Sequence, residues 1–150
     1  AGSNVTLLGR QSQHQVETLM SRCRAFVYAG LEDFGIAPVE AMAAGAPVIG
    51  LGRGGLLDTV RCAAAGCSQP TGVLFPDQSV ESVIQAVQWF QQQHRLESFN
   101  PESIRSWAER FRPEVFAARF EASMRRSWAG HQMRCAVAAS DPAKVPGLFS

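Results

Sequence analysis

The strongest constraint on the fold is the alternation of short, apolar runs with longer segments of helical periodicity. The apolar runs predict buried β-strands at residues 4–9, 25–29, 47–50 and 71–75. Strands that are apolar on both faces and alternate with helices are typical of a parallel sheet that helices cover on both sides. The sequence therefore predicts an α/β fold built on a parallel sheet flanked by helices.

The helix boundaries follow from capping and helix-initiating residues. Ser12 is a good N-cap for the first helix, and Pro38 suits the first position of a helix that runs through about Ala44. A short helix is expected around Leu56–Cys62, and later helices begin at Pro101 and Pro113. Residues 130–150 lose periodicity and contain two prolines, which predicts a flexible tail after a domain at 1–129.

Composition excludes several classes of protein. The formal net charge is +1, which does not favour a nucleic-acid partner, and no apolar run approaches the roughly 20 residues of a spanning helix. The cysteines, which are Cys23, Cys62, Cys67 and Cys135, do not have zinc-ligand spacing. They favour reduced thiols in a cytoplasmic protein, with a Cys62–Cys67 disulfide as the less favoured alternative.

The most informative segment is LEDFGIAPVEAMAAG at residues 31–45, in which Glu32 and Glu40 are separated by seven residues. Glu32 lies in the loop after a predicted strand, and Glu40 lies in the first turn of the next helix. Ligands of parallel α/β sheets collect at the carboxyl ends of the strands, so both carboxylates should face the same crevice. The helix start suits an anionic phosphate, and Gly35 allows close approach of the backbone. Because carboxylates accept hydroxyl hydrogen bonds, the segment predicts a phosphorylated, hydroxyl-rich ligand.

Together with Gly45-Ala46-Pro47-Val48-Ile49 and the Gly54-Gly55 pair, this segment resembles the donor-binding domain of retaining glycosyltransferases of family four. The resemblance runs from about Asn4 to about Met124. It implies a Rossmann-like domain that forms the C-terminal half of a GT-B architecture, in which two such domains face each other across the active-site cleft.

The resemblance implies a role for each matching residue. Glu32 is the expected catalytic residue, in contact with the donor sugar near its reacting face, and Glu40 is expected to hold the ribose hydroxyls. Further donor contacts are implied for Asp33, Phe34, Gly35, Ile36, Ala37 and Val39. Gly54 and Gly55 serve either a tight turn or close ligand approach, and Arg10 is either a surface residue or a phosphate contact. No metal and no separate cofactor are implied, since the ligand is the substrate, a nucleotide-diphosphate sugar.

The resemblance also implies partners. The sequence of the EDFGI segment and the glycine pair favour GDP-mannose as donor, with UDP-glucose and related donors left open. The chain is expected to be truncated at its N-terminal side. The missing part would supply two strands, an arginine and a lysine that neutralise the diphosphate, and the acceptor-binding domain. The parent enzyme would serve polysaccharide biosynthesis with peripheral membrane association, and the chain alone would not turn over substrate.

Two other functions remain open. One is a non-catalytic remnant or fragment that binds a nucleotide without transferring sugar. The other is a dinucleotide-binding oxidoreductase domain, because residues 50–55 (GLGRGG) satisfy the glycine fingerprint and Asp77 follows about 20 residues later. That match is weak, because the following helix is short and the fingerprint leaves Glu32 and Glu40 unexplained.

The last predicted helix carries apolar residues on one face. These residues are Phe116, Phe120, Met124 and Trp128. In the two-domain architecture this helix crosses back toward the N-terminal domain, so in this chain its apolar face would lack a partner. The sequence therefore predicts an exposed apolar patch and self-association through this helix.

Overall fold

A computed structural model describes residues 2–63, 66–95 and 98–140 of the 150-residue chain. The chain divides into two compact units, Ala1–Arg110 and Phe111–Ser150. Among the residues that the structure describes, the first unit contains the sheet and five α-helices, and the second unit contains one long helix.

The first unit is built on a three-stranded parallel sheet in the order β1-β2-β3. The strands are β1 (Phe26–Tyr28), β2 (Val48–Leu51) and β3 (Gly72–Phe75). In the register, Val48 of β2 aligns with Phe26 of β1 and with Gly72 of β3. All four residues of the middle strand are buried, as expected of a parallel strand covered on both faces. The predicted α/β fold with a parallel sheet is therefore confirmed.

The predicted strand at residues 4–9 is wrong. The segment is extended but pairs with no strand of the sheet, and Val5, Leu7 and Leu8 are exposed by 52, 84 and 50%. Its hydrogen bonds are local: Val5 N donates to Gly2 O, and the Gln11 side chain donates to Leu8 O. An apolar run becomes a strand only where a neighbouring strand completes its ladder, and this segment has no such neighbour among the described residues.

The described residues of the first unit form five α-helices. They are α1 (Gln13–Arg22), α2 (Ile36–Ala43), α3 (Leu56–Thr59), α4 (Val80–Arg95) and α5 (Pro101–Ala108). Of these, α2 and α4 pack against the strands of the sheet. Ser12 caps α1 as predicted, in a reciprocal capping box with Gln15. Helix α2 starts two residues before Pro38, which is therefore the third helical residue, a position that still requires no amide donor. Helix α3 ends at Thr59 rather than Cys62, because Arg61 N donates to Thr71 Oγ1 and Cys62 forms a parallel bridge with Gly72.

The core of the first unit lies between the sheet and the helices. Its largest fully buried side chains include Phe75, Met42, Ile49, Leu56 and Ile104, which come from two strands and three helices. Helix α2 packs against α5 and also contacts β1 and β2. The loop that enters α2 from β1 therefore ends at a helix that is packed against its neighbours.

The second unit is the helix α6 (Pro113–Ser140). Its predicted start at Pro113 is confirmed, but residues 130–140 are helical where the sequence predicts a tail without periodicity. The scattered alanines of this stretch are strong helix formers, and the two prolines come only at Pro142 and Pro146. Residues 141–150 lie outside the described residues, and the domain boundary at residue 129 stays a prediction.

Two further sequence expectations concern the whole chain. Cys23, Cys62, Cys67 and Cys135 are free thiols, as predicted. Within the described ranges, no helix combines the length and the apolar character needed to cross a bilayer.

Candidate functional site

The three strands run parallel, so the loops that follow them meet at one edge of the sheet. Gln78, after β3, donates from Nε2 to the carbonyl oxygen of Ala29, after β1, at 2.7 Å. Arg53, after β2, forms an ion pair with Asp77, after β3, at 3.2 Å between Nη2 and Oδ1. These contacts connect all three loops at the carboxyl edge, where α/β sheets bind ligands.

A cavity of about 380 Å³ opens at this edge, between the end of β1 and the start of α2. It is lined by Tyr28, Glu32, Asp33, Phe34, Gly35, Ile36, Ala37 and Pro38. Six of these residues are predicted site residues, which the structure brings together in one continuous loop and helix start. Tyr28 and Pro38 complete the lining.

Glu32 is held at both its backbone and its side chain. Its carbonyl oxygen accepts a hydrogen bond from Gly55 N at 2.8 Å. Its carboxylate oxygen Oε1 accepts a hydrogen bond from the hydroxyl of Tyr28. This hydrogen bond, with smaller contributions from desolvation and from the charge of Glu32, raises the pKa of the Tyr28 phenol above its ordinary value. The catalytic candidate Glu32 is therefore an exposed carboxylate whose backbone and side chain are both held by hydrogen bonds.

Gly35 forms the N-cap of α2 in the left-handed conformation, with φ 83° and ψ 65°. A Cβ added at this position would lie 2.9 Å from Leu56 Cδ1. The glycine is thus required by the backbone conformation and by packing against Leu56, which is a different reason from the predicted close approach to a ligand.

The start of α2 is suited to an anion. Gly35 has no side chain that could cap the helix, so the amides of Ile36 and Ala37 donate no hydrogen bond to an N-cap side chain. Val39 N donates to Gly35 O at 3.2 Å, and the first turn contains no acidic residue. The positive end of the helix dipole therefore faces the cavity without a competing carboxylate in that turn.

Glu40 lies in the second turn of α2 rather than the first, because the helix begins at Ile36. Its side chain is exposed and lies one turn beyond Ile36, on the same helix face, but it does not line the cavity. Val39 is half-buried and packs against the core. The structure thus places Glu40 beside the cavity, and its contact with ribose stays a prediction.

The glycine pair packs against the loop that carries Glu32. A Cβ added at Gly54 would lie 2.4 Å from the carbonyl oxygen of Glu32, and one added at Gly55 would lie 2.4 Å from that of Asp33. Real Cβ atoms do not approach a backbone oxygen so closely. The two glycines are therefore needed to position the Glu32 loop, which explains them without direct ligand contact.

Arg10, the candidate phosphate contact, and Arg53, the basic residue of the segment 50–55, lie outside the cavity lining. Arg10 is exposed, and its carbonyl oxygen accepts a hydrogen bond from the Gln11 side chain at 3.3 Å. Arg53 is paired with Asp77, so the acidic residue of the dinucleotide fingerprint has a local partner. In the part of the chain that the structure describes, no three His, Cys, Asp or Glu side chains cluster in a way that could hold a metal ion.

Tyr28 is a site residue that the sequence patterns did not indicate. The sequence predicts it only as part of the strand at residues 25–29, yet it is the last residue of β1 and the only tyrosine in the chain. Its position could have indicated this role, because it is a polar aromatic residue at the carboxyl end of a strand, four residues before Glu32.

The fold and the site define the class of this protein as an open α/β domain with a ligand cavity at the carboxyl edge of its sheet. Residues 1–105 match the family model of glycosyl transferases group 1, and the chain belongs to this family. The predictions of a glycosyltransferase and of a GT-B fold are thereby confirmed at the level of group 1, while the narrower assignments to family four and to mannosyltransferases stay predictions.

The structure is similar to that of sucrose-phosphate synthase from Thermosynechococcus elongatus, with a TM-score of 0.68 and 27% sequence identity. The similarity covers 86% of this chain and 31% of the synthase, so this chain spans about a third of that protein's length. No curated protein matches the chain in sequence.

Proposed function

We propose that this chain binds a nucleoside-diphosphate sugar in the cavity after β1 and forms the donor-binding part of a retaining glycosyltransferase. The observation that supports this function is the coincidence of two findings. The family match spans the whole segment from Glu32 to Glu40, and the first seven residues of that segment line the cavity.

The diphosphate would bind at the start of α2. The amides of Ile36 and Ala37 and the positive end of the helix dipole favour a doubly charged group at this point. When the bond between the donor sugar and the diphosphate breaks, negative charge develops on the leaving nucleoside diphosphate. A preorganised helix start stabilises that charge without reorganisation, which lowers the barrier to transfer.

The sugar and the ribose would bind on either side of the diphosphate. Glu32 would accept hydrogen bonds from hydroxyl groups of the donor sugar. Glu40, one helical turn from Ile36, would accept hydrogen bonds from the ribose hydroxyl groups. Resemblance to family four favours GDP-mannose, with UDP-glucose and related donors as the other candidates. Asp33, Phe34 and Ala37 would contribute backbone and wall contacts.

The acceptor would bind to a separate domain across the cleft. This chain spans only 31% of the similar synthase, so transfer, the acceptor, cytoplasmic localisation and any membrane association are proposed for a longer protein. Binding of the donor without release of nucleoside diphosphate would instead support the non-catalytic alternative.

A thermal-shift panel of GDP, UDP, ADP and their sugars tests the proposed function. A donor at about 100 times its Kd should stabilise the folded chain by about 2.7 kcal/mol. We expect one nucleotide sugar to raise the melting temperature, and Glu40→Ala to abolish that increase. Glu17→Ala is the matched control, because Glu17 is another exposed helical glutamate and lies on α1. The Glu17→Ala variant should bind the donor as the wild type does.

The panel also separates the alternatives. An equal shift in Glu40→Ala would contradict the assignment of Glu40. No shift with any nucleotide sugar would contradict the function itself, and a shift with NAD alone would support the dinucleotide-binding alternative.

A further inference from the structure

Tyr28 and Glu32 lie four residues apart and line the same cavity. The Tyr28 hydroxyl donates to Oε1 of Glu32, and Gly55 N donates to the Glu32 carbonyl oxygen at 2.8 Å. None of the residues in the described ranges donates a hydrogen bond to the other carboxylate oxygen, Oε2. One oxygen of the carboxylate is thus occupied by the protein while the other remains available to a ligand.

The Tyr28 ring is held in place by its packing. Tyr28 ends β1, packs against the hydrophobic core, and its ring stacks with Phe26 at 6.4 Å between centroids and 9° between planes. The Glu32 side chain is exposed and, with three rotatable bonds, loses much rotamer freedom when a ligand fixes it. A hydrogen bond from a fixed phenol removes part of that freedom before the ligand binds.

We propose that Tyr28 is a positioning residue, whose hydroxyl orients the Glu32 carboxylate so that Oε2 accepts a hydroxyl of the donor sugar. This inference rests on the proposed function, because it requires a sugar in the cavity. It adds to that function a residue that selects the sugar-bearing donor over the nucleotide alone.

The protonation of the phenol suits this role. The hydrogen bond that Glu32 accepts from the phenol raises the pKa of Tyr28, so the hydroxyl remains a donor throughout the neutral range. A phenylalanine would keep the ring packing and lose only the hydroxyl. Tyr28→Phe therefore isolates the contribution of the hydrogen bond.

The test compares the Kd of the best nucleotide sugar with the Kd of its nucleoside diphosphate, by calorimetry on the full chain. We expect Tyr28→Phe to weaken binding of the nucleotide sugar about three- to tenfold, the range of one hydrogen bond, and to leave the nucleotide unaffected. The control is Thr18→Val, which removes a hydroxyl that donates to His14 O at 2.8 Å within α1. It should change neither Kd.

A double-mutant cycle with Glu32→Ala distinguishes positioning from direct contact. If Tyr28 acts through Glu32, Tyr28→Phe has no further effect on binding once Glu32 is alanine. Further weakening in that background would show that Tyr28 contacts the sugar itself and would overturn the proposal. Tighter binding by Tyr28→Phe would show that the phenol competes with the sugar, which also overturns it.

The single tyrosine gives a spectroscopic readout that does not depend on donor binding. Ultraviolet titration of the phenolate should show that Glu32→Ala lowers the pKa of Tyr28. An unchanged pKa of Tyr28 in Glu32→Ala would overturn the positioning role. A nucleotide-sugar Kd in Tyr28→Phe equal to that of the wild type would also overturn it, and in both cases the proposed function would stand. If the wild-type chain binds no nucleotide sugar, the proposed function fails and this inference fails with it.

Discussion

The backbone amide of Gly55 donates to the carbonyl oxygen of Glu32 at 2.8 Å, and this bond joins the loop after β2 to the loop after β1. The two loops can approach so closely because Gly55 has no side chain. A Cβ there would lie 2.4 Å from Asp33 O and 2.5 Å from the Phe34 Cα. The glycine pair thus determines where the catalytic candidate lies.

We therefore expect Gly55→Ala to destabilise the first unit by about 1–3 kcal/mol, the usual cost of overpacking against atoms that cannot move away. Displacement of the Glu32 loop should also weaken nucleotide-sugar binding. Chemical denaturation measures the first effect, and calorimetry with the best donor measures the second.

Gly130→Ala is the matched control for this substitution. Gly130 lies within α6, where an added Cβ would meet nothing closer than Arg134 Nη1 at 3.5 Å. Alanine is favoured over glycine in a helix by about 1 kcal/mol, so this substitution should stabilise α6. A neutral Gly55→Ala, or one that shifts stability in the same direction as Gly130→Ala, would contradict the packing role of Gly55.

The parts of the fold that sequence predicts well are those with local causes. The Ser12 cap depends on residues three apart, and the buried character of β2 is visible in its own composition. Pairing of residues 4–9 is not local, because an apolar run becomes a strand only beside a neighbour. The continuation of α6 beyond residue 129 was not predicted, because the loss of an apolar stripe does not stop alanine-rich sequence from forming a helix.

The same distinction applies to the site. The cavity segment from Glu32 to Ala37 was predicted because it is continuous in sequence. The role of Gly54 and Gly55 could not be decided, since turn formation and ligand approach require the same residue. Their contact with the Glu32 loop depends on which loops adjoin in the folded sheet, and only the structure gives that relationship.

Trp107 connects α5 to the short helix α3, which follows the glycine pair in the chain. Its indole Nε1 donates to Thr59 O at 2.7 Å, and its ring lies beneath the guanidinium groups of Arg61 at 4.4 Å and Arg110 at 3.9 Å. Thr59 is fully buried. We expect Trp107→Phe to destabilise the first unit by about 1–3 kcal/mol, because the Thr59 carbonyl group loses a donor inside the protein.

Denaturant unfolding measures this cost, with Trp128→Phe as its control. Trp128 is 61% exposed on α6, so the same substitution there should change stability by no more than about 0.5 kcal/mol. Equal effects at the two positions would show that the Thr59 hydrogen bond contributes nothing.

The Tyr28–Glu32 hydrogen bond predicts a particular dependence of stability on pH. Glu32 raises the pKa of Tyr28 in the folded chain above its unfolded value of about 10. The bond therefore contributes fully to stability below that unfolded value, and its contribution is lost as pH rises through the folded pKa. The difference in unfolding free energy between wild type and Tyr28→Phe should shrink in that alkaline range. A difference that grows there would have the wrong sign for a bond that needs the protonated phenol.

The apolar face of α6 was predicted from sequence and is confirmed. Phe116, Phe120, Met124 and Trp128 recur at every fourth residue and are exposed by 66, 56, 54 and 61%. Such a continuous apolar stripe favours association, because each copy would remove its large side chains from water. We expect a concentration-dependent increase in mass by analytical ultracentrifugation, which Phe120→Glu should suppress.

Ala122→Glu supplies the matched control for that experiment. Ala122 is exposed and lies two residues from both Phe120 and Met124, about 200° around the helix from each, so the same charge is added away from the stripe. Self-association through the stripe requires that Phe120→Glu lower the mass while Ala122→Glu leaves it unchanged. A wild-type chain that stays monomeric at every concentration would show that the exposed face is not sufficient for association, because the ordering cost of binding then exceeds the gain from burying four side chains.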